Sequence, residues 1–346
     1  MNVMKINSQK REGNNVLLEV EVEVSEFKVA VDKTIVRASK EINIPGFRPG
    51  KAPREMVERT LDREALEARA ASDLISELYP RVIEESKIEP VDYPGVDIVQ
   101  QKKAMPFVFS VKVDVYPEVK LGKYMGLKVD KTEAAITENE IDKILESLQK
   151  RFAGKEALPP LDDEFAKKVS HFQTLDELKK EVREGLLKDK TKHAEADVKD
   201  KLVATAVAEA KVDIPKGMIE REVDVLLDEL KSSLAQSGLS LGDYLKGIKK
   251  DEKTIRAELQ KSAEMRVRGK VVLRAVALEE KIKISEEELE REVKNMAAAT
   301  GENMDELNKR LDEGAKRYIG DYLLRRKALD LIVGNAKINI TKEEKK

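Results

Sequence analysis

The sequence of 346 residues has no cysteine and no tryptophan, and aromatic residues make up only 4% of it. Without cysteine the protein can form no disulfide, no thiolate metal site and no cysteine nucleophile. Such a chain suits a reducing compartment, so we expect it to be cytoplasmic. Pockets for small molecules are usually lined by aromatic and other apolar side chains. The scarcity of aromatic residues therefore weakly disfavours a small-molecule enzyme.

Membrane and catalytic signals are also missing. The polar stretch 1–13 lacks the apolar segment of a signal peptide, and no apolar run is long enough to span a bilayer, so we expect no membrane partner. The two histidines, His171 and His193, lie in charged surroundings without a second ligand at metal-site spacing. No phosphate-binding glycine motif and no serine-hydrolase motif is present. We therefore predict no catalytic residue, no metal and no cofactor.

Charge is what the sequence has in abundance. Charged residues make up 38% of the chain and hydrophobic residues 41%, with a formal net charge of -2. These values are typical of a charge-covered globular protein, and the length suggests two or three domains. The balanced charge argues against a general nucleic-acid coat protein, so any contact with nucleic acid would need a local basic patch.

The first third of the chain mixes strands and helices. Residues 16–24 and 106–115 alternate apolar and polar side chains, which is the pattern of half-buried strands. Between them lie one helical run that starts near Ser25, its predicted N-cap, and another over about residues 62–86. We predict an antiparallel sheet with helices packed on one face. The residues predicted to face inward are Leu18, Val20, Val22, Val24, Phe27, Val31, Ile35, Phe107, Phe109, Val111 and Val113.

The remainder of the chain is predicted to be mostly helical. Residues 117–135 contain isolated apolar residues without a sustained period and are interpreted as an extended connector. Pro215 is placed in the first turn of a helix, where its missing N–H is tolerated, and a long helix is predicted from about 254 to 280. Capping boxes, in which Ser or Thr precedes Glu by three residues, mark other helix starts at Thr137 and Glu140, Thr174 and Glu177, and Ser285 and Glu288.

One loop stands apart from this pattern. Residues 44–53 read IPGFRPGKAP, and their three prolines and two glycines exclude a helix or a central strand. Phe47 is flanked there by Arg48 and Lys51, and the stretch 33–54 contains six basic residues and one acidic residue. Two interpretations stay open. Phe47 is either buried as part of a core, or it is an apolar anchor beside cations on a docking surface.

The segment GFRPGKAP at 46–53 resembles the ribosome-docking signature of the bacterial trigger factor family, chaperones that meet nascent chains at the tunnel exit. Residues 117–153 resemble the linker and first helix of that family, and residues 161–186 the start of its helical arms. The resemblance implies a partner surface on the large ribosomal subunit, made of protein and rRNA. Pro49 replaces a basic residue found in some members, which would weaken the electrostatic share of docking. The implied docking residues are Gly46, Phe47, Arg48, Pro49, Gly50 and Lys51.

The resemblance also implies a domain plan and a departure from it. The expected fold class is α+β, with a ribosome-binding domain at 1–116, an extended linker at 117–136 and a mainly α-helical, multi-arm chaperone domain at 137–346. The family normally carries an FKBP-like prolyl isomerase domain near residues 153–160. Such a domain needs about a hundred residues, and this junction has eight. We therefore expect no prolyl isomerase activity.

In this family the helical arms surround a cradle that holds unfolded or nascent polypeptides without a nucleotide. For each candidate client-binding residue the alternative is ordinary helix–helix core. A ribosome-independent holdase or assembly factor with a buried Phe47, and a prolyl isomerase with an unrecognised site, remain alternative functions. A homodimer is compatible with either holdase interpretation. The client-binding candidates are Met218, Leu226, Leu230, Leu234, Leu241, Tyr244, Met296, Met304 and Leu307.

Overall fold

The computed structural model describes residues 4–42, 47–48, 51, 53, 56–57, 60, 62–102, 104–153 and 158–342. The chain folds into two compact units. The first unit contains Met1–Val119 and Val212–Arg268, and the second unit contains Lys120–Lys211 and Gly269–Lys346. Compactness thus groups residues 212–268 with the N-terminal part. The division at 116 and 136 inferred from the family resemblance stays a prediction.

The described residues contain six strands and eleven helices. In chain order they are β1 Met4–Glu12, β2 Asn15–Val22, α1 Val24–Glu41, α2 Arg63–Ser86, β3 Gly95–Gln100, β4 Phe107–Asp114, β5 Lys128–Glu133, α3 Glu138–Ala153, α4 Asp163–Val169, α5 Leu175–Glu209, α6 Lys216–Gln236, α7 Leu241–Ile248, α8 Glu252–Glu279, α9 Glu286–Thr300, α10 Met304–Arg310, α11 Glu313–Gly334 and β6 Lys337–Lys342. Among these helices none is both long and apolar enough to cross a membrane.

The first unit is built on a four-stranded antiparallel sheet in the order β1-β2-β4-β3. The predicted alternation in β2 and β4 is confirmed, because the residues of these strands predicted to face inward are buried and pack against one face of α2. Phe27 of α1 stacks on Phe107 of β4 with ring centroids 4.7 Å apart, so α1 lies over the same face. The predicted fold class is therefore confirmed. The α2 residues in this core are Ala71, Leu74, Leu78 and Val82.

Two predicted helix starts are wrong by one or two residues. Helix α1 begins at Val24, so Glu23 rather than Ser25 is its N-cap, and no side chain caps it. Because β2 ends at Val22, only one residue is left between strand and helix, and Val24 becomes an exposed helical residue rather than the last inward residue of the strand. Pro215 is the N-cap of α6 instead of lying in its first turn, since its ψ of 137° is extended.

The predicted capping boxes lie at the starts of three helices of the second unit. The boxes at the start of α5, from Thr174 and Glu177, and of α9, from Ser285 and Glu288, are both complete. At α3 the Glu140 carboxylate accepts from the N–H and the hydroxyl of Thr137. A cluster of buried residues joins α3, α4 and α5. Its members are Ile141, Leu145, Phe165, Ala166 and Leu178.

The connector is more structured than the sequence predicted. Within it β5 pairs in parallel with β6 near the C-terminus, Lys128 opposite Lys337. Near the start of the connector, Lys120 exchanges two backbone hydrogen bonds with Lys211, of 3.0 and 2.9 Å. Gly122 lies so close to α5 that an added Cβ would stand 2.1 Å from the carbonyl oxygen of Glu209. The connector is therefore held in the second unit at two places. One is the β5–β6 pairing, and the other is the contact of Lys120 and Gly122 with Lys211 and Glu209.

Replacing Gly122 with alanine should destabilise the second unit by about 1–3 kcal/mol, because the new methyl group would displace backbone rather than a flexible side chain. Gly185, in the exposed interior of α5 with nothing near its position, is the matched control. Gly185→Ala should stabilise by roughly 0.5–1 kcal/mol, since glycine is a poor helix former. Thermal unfolding followed by circular dichroism measures both. Equal melting of Gly122→Ala and the parent would contradict the close approach.

The acid stability of the second unit should depend on Glu140. A hydrogen bond from Lys190, at 2.8 Å, and one from the Thr137 backbone lower the pKa of Glu140 to about 2. A depressed pKa gives stability that is present above the ordinary value of 4.5 and is lost as pH falls toward 2. Glutamine keeps the cap but not the charge. Glu140→Gln should therefore lose less stability than the parent when denaturant unfolding is compared at pH 5 and pH 3, and an equal loss would contradict the assignment.

Candidate functional site

The loop that carries Phe47 joins α1 to α2 and is held by a small core of its own. We call this core the tip cluster: buried residues Ile35, Ala38, Val57 and Leu66, with Val31, Ile42 and Phe47 packed against them. The Phe47 ring is half-buried. Part of it packs against the cluster and part remains open to solvent, so the structure lies between the two interpretations left open by the sequence.

A turn presents the basic residues next to Phe47. The backbone N–H of Lys51 donates to the carbonyl of Arg48 at 2.9 Å, and the side chains of both residues are exposed. The predicted docking residues Gly46, Pro49 and Gly50 lie outside the described residues. Proline followed by glycine is the sequence favoured at the centre of such a turn. The turn therefore sets two cations on the same short segment, close to a partly accessible aromatic ring.

We call the basic residues of 33–54 the basic island. It carries less unpaired positive charge than the sequence suggested, because carboxylates of α2 pair with part of it. Arg37 pairs with Asp73 at 2.8 Å and Lys33 approaches Glu77 at 4.0 Å. In the third pair the cation lies on α2 and the carboxylate on α1. Arg69 donates to Glu41, and this hydrogen bond raises the pKa of Arg69. These three pairs follow the antiparallel packing of α1 and α2 along one side of the helix pair.

Three cations without a close carboxylate in the described part of the chain lie near the tip. Among the residues that the structure describes, no carboxylate lies within 4 Å of Lys40, Arg48 or Lys51. Arg54, also counted in the island, lies outside the described residues. A local group of cations at this end of the α1–α2 pair suits a phosphate-rich or acidic partner.

An apolar groove of about 450 Å³ lies beside the tip, between α1, the start of α2 and the β3–β4 loop. It shares Val31, Ile35 and Leu66 with the tip cluster. The sequence analysis missed this groove, since its walls come from three separated segments. The apolar residues along one side of α1 could have suggested the groove only if the packing of α1 against α2 had been known. Its other apolar walls are Val24, Phe27, Met105 and Phe107.

The client-binding candidates of the first unit form the margin of a helical core rather than an open face. Val223 and Leu227, from the same apolar stripe of α6, are buried. A network of charges ties α6 to α8, because Arg266 contacts Glu229 at 2.8 Å and the buried Glu222 at 3.2 Å. The six candidates flank this core and are all half-buried. They are Met218, Leu226, Leu230, Leu234, Leu241 and Tyr244.

The three candidates of the second unit differ from one another. Leu307 packs against the buried cluster of Val293, Ile319 and Leu323 and so belongs partly to a core. Met304 is half-buried, and Met296 is 39% exposed. Several apolar residues that the sequence analysis did not select are more exposed than these. They are Val225, Leu239, Met265, Leu278, Tyr318 and Tyr322.

No catalytic constellation emerges from the described residues. His171 and His193 are both exposed, and His171 lies against the ring of Phe172. No group of three or more His, Cys, Asp or Glu residues within the described ranges could hold a metal ion. The acidic pair Asp162 and Asp163 serves local structure, since Asp162 caps α4 and Asp163 accepts from the N–H of Leu175.

The junction between α3 and α4 is closed by direct contacts. The Gln149 side chain donates to the carbonyl of Pro159 at 2.7 Å. Phe152 at the end of α3 meets Phe165 of α4 edge to face, with ring centroids 6.1 Å apart. Residues 154–157 between them lie outside the described residues. The end of α3 therefore lies beside the start of α4, with Phe152 at the exposed edge of their contact.

Comparison with known proteins gives a consistent family. The family model described as bacterial trigger factor protein matches residues 4–148, and the model of the trigger factor C-terminus matches residues 174–334. Only residues 149–173 lie between the two matches, far fewer than the roughly hundred residues of an additional domain.

Curated relatives extend the match over most of the chain. The trigger factor of Anoxybacillus flavithermus is 31% identical over 97% of this chain and 100% of its own length. That alignment spans 428 positions, 82 more than the 346 residues here. The trigger factor of Caldicellulosiruptor bescii is 30% identical over 97% of both chains. A solved trigger factor chaperone, described for promiscuous substrate recognition in folding and assembly, shares the fold with a TM-score of 0.55 and 18% identity over 95% of this chain and 99% of its own.

Proposed function

Because the chain belongs to the trigger factor family of ribosome-associated chaperones, we propose that it docks at the ribosomal tunnel exit and holds nascent and unfolded chains against aggregation without ATP. The tip of the first unit carries this proposal. There an aromatic ring that is only half-buried lies next to two exposed cations on a hydrogen-bonded turn. The place of action is the cytoplasm.

Docking would combine an apolar and an electrostatic contribution. Burying the remaining surface of Phe47 against a ribosomal protein gives affinity with little loss of conformational freedom, since the tip cluster already fixes the ring. Arg48 and Lys51, with Gly46, Pro49 and Gly50 completing the segment, would face rRNA phosphates or acidic protein side chains. The ion pairs along α1 and α2 join the two helices that flank this segment.

Client holding would use many weak contacts. The candidates on α6, α7, α9 and α10 are half-buried or moderately exposed, so each offers part of a side chain rather than a deep pocket. Such surfaces bind apolar segments of many sequences, and methionines at 218, 296 and 304 adapt their shape to different partners. Docking near the tunnel exit raises the effective concentration of client at these surfaces.

We propose further that this chain is not a prolyl isomerase. The helices on either side of the junction pack directly on one another through Gln149, Phe152 and Phe165, and too few residues separate them for an inserted domain. Isomerase relatives would then retain an activity that this chain lacks, while the docking and holding parts are present.

A ribosome-independent holdase is the second candidate, and the packing of Phe47 on the tip cluster favours it. If the ring were needed mainly to complete that cluster, its exposed part would contribute little to docking. Pairing of two chains through the arms or the docking face is compatible with this alternative, so the oligomeric state is measured alongside.

Co-sedimentation with 70S ribosomes separates the two candidates. The double variant Arg48→Ala, Lys51→Ala should bind at least tenfold more weakly than the parent, and the slope of log affinity against log salt should fall by about 1 for each phosphate that the variant no longer neutralises. The matched control is Lys10→Ala, Lys112→Ala, which removes two exposed cations from the sheet. If the control variant weakens ribosome binding equally, or if the folded parent stays in the supernatant, the ribosome-independent holdase is favoured.

A refolding assay tests holding and isomerisation together. The substrate is a chemically denatured protein whose slow refolding phase is limited by a prolyl bond. The chain should lower light scattering in proportion to its amount, because holding is stoichiometric, and should leave the rate of the slow phase unchanged. Acceleration of that phase by substoichiometric amounts would show an isomerase site and overturn the proposed loss of that activity. Unchanged scattering would contradict the holding function.

A further inference from the structure

We propose that β6 binds extended segments of unfolded client chains as a third strand added to the β5–β6 sheet. The inference rests on the proposed holding function and names one site for it in the second unit. Among the described residues, β5 and β6 form a sheet of two strands only, and two-stranded sheets are marginal without further packing. An added strand would stabilise the sheet as it binds.

The hydrogen-bond pattern shows which backbone groups of β6 are free to pair. The N–H of Lys337 donates to the carbonyl of Leu127 at 2.8 Å, and Lys337 is opposite Lys128 in the parallel register. In a parallel pair, alternate residues direct both N–H and C=O to the same neighbour. Lys337, Asn339 and Thr341 therefore face β5, while the backbone groups of Ile338 and Ile340 face away from it.

Those two outward-facing residues also carry the exposed apolar side chains of the strand. Ile338 is 41% exposed and Ile340 is 71% exposed. Natural proteins usually protect a sheet edge of this kind with a charge, a proline or a covering element. Here a β-branched apolar residue stands at each outward position, which favours pairing with an incoming strand.

An unfolded client segment is the occupant that these features fit. A strand edge bonds to main-chain groups, so it accepts many sequences, as a holding chaperone requires. Lys337 lies opposite Lys128 of β5, so two lysines stand side by side at the start of the sheet. An apolar client segment with a flanking acidic residue would complement this pair, whereas a second β6 aligned in parallel would add a further lysine to it.

The test compares two substitutions at one outward position. Ile340→Pro removes an N–H that does not bond to β5, and proline is tolerated at such an edge. Ile340→Thr keeps the N–H and the β-branched shape. The probe is a short fluorescein-labelled peptide of valine and threonine with a glutamate at each end, measured by fluorescence anisotropy. A second peptide, N-methylated at every residue, has no N–H to donate from either of its edges and needs no change in the protein.

We expect Ile340→Pro to weaken binding by about tenfold and Ile340→Thr by only about two- to threefold, since the first also removes a backbone hydrogen bond to the peptide. The N-methylated peptide should not bind the parent. In hydrogen exchange, the amides of Ile338 and Ile340 should exchange fast in the free protein and become protected when the unmodified peptide is added.

Three outcomes would overturn the proposal: no binding of the unmodified peptide, equal binding to Ile340→Pro and Ile340→Thr, or no protection at Ile338 and Ile340 in the complex. Protection that rises with protein concentration alone would assign the edge to a second copy instead. The refolding assay distinguishes these failures from failure of the holding function, because a chain that still suppresses aggregation holds its clients elsewhere.

Discussion

The packing of the α1–α2 pair on the sheet is the constraint on which presentation of the tip depends. Phe27 anchors α1 on Phe107, and the helix then continues to Ala38 in the tip cluster. Eleven residues of helix separate these contacts, about 16 Å at 1.5 Å per residue. The end of α1 therefore lies beyond the contact of Phe27 with the sheet, and the tip cluster packs there against Phe47. Without either contact the basic turn would have no fixed position.

The gradation of exposure shows how one helix can contribute both to a stable core and to the proposed client-binding surface. On α6 the residues Val223 and Leu227 are buried while Leu226 and Leu230 beside them are half-buried. A client that covers the outer part of such side chains gains apolar burial without disturbing the inner part. Each contact is weak, about 25 cal/mol for each Å² covered, so affinity comes from their number and from proximity to the ribosome.

Sequence reasoning succeeded where the signal was local and failed where the partner was distant. Alternation predicted β2 and β4, and complete capping boxes predicted the starts of α5 and α9, because each pattern lies within a few residues. The unpaired positive charge attributed to Lys33 and Arg37 was overestimated, because the carboxylates that pair with them lie on another helix. The β5–β6 pair joins residues far apart in the chain, and no periodicity in a six-residue strand reveals such a partner. For the loop at 44–53 the sequence left the position of Phe47 open, and only the fold shows that this ring divides its surface between core and solvent.

The closed junction between α3 and α4 suggests why docking and holding are separable from isomerisation. A domain is tolerated as an insertion when the two ends that receive it lie close together. Here Gln149 and Pro159, and the rings of Phe152 and Phe165, already touch, so the core of α3, α4 and α5 is complete without an inserted domain. A domain placed at this point would project from a finished core rather than complete one. Its absence therefore leaves the core of α3, α4 and α5 intact, and client holding is assigned by our proposals to the half-buried helical residues and the edge of β6.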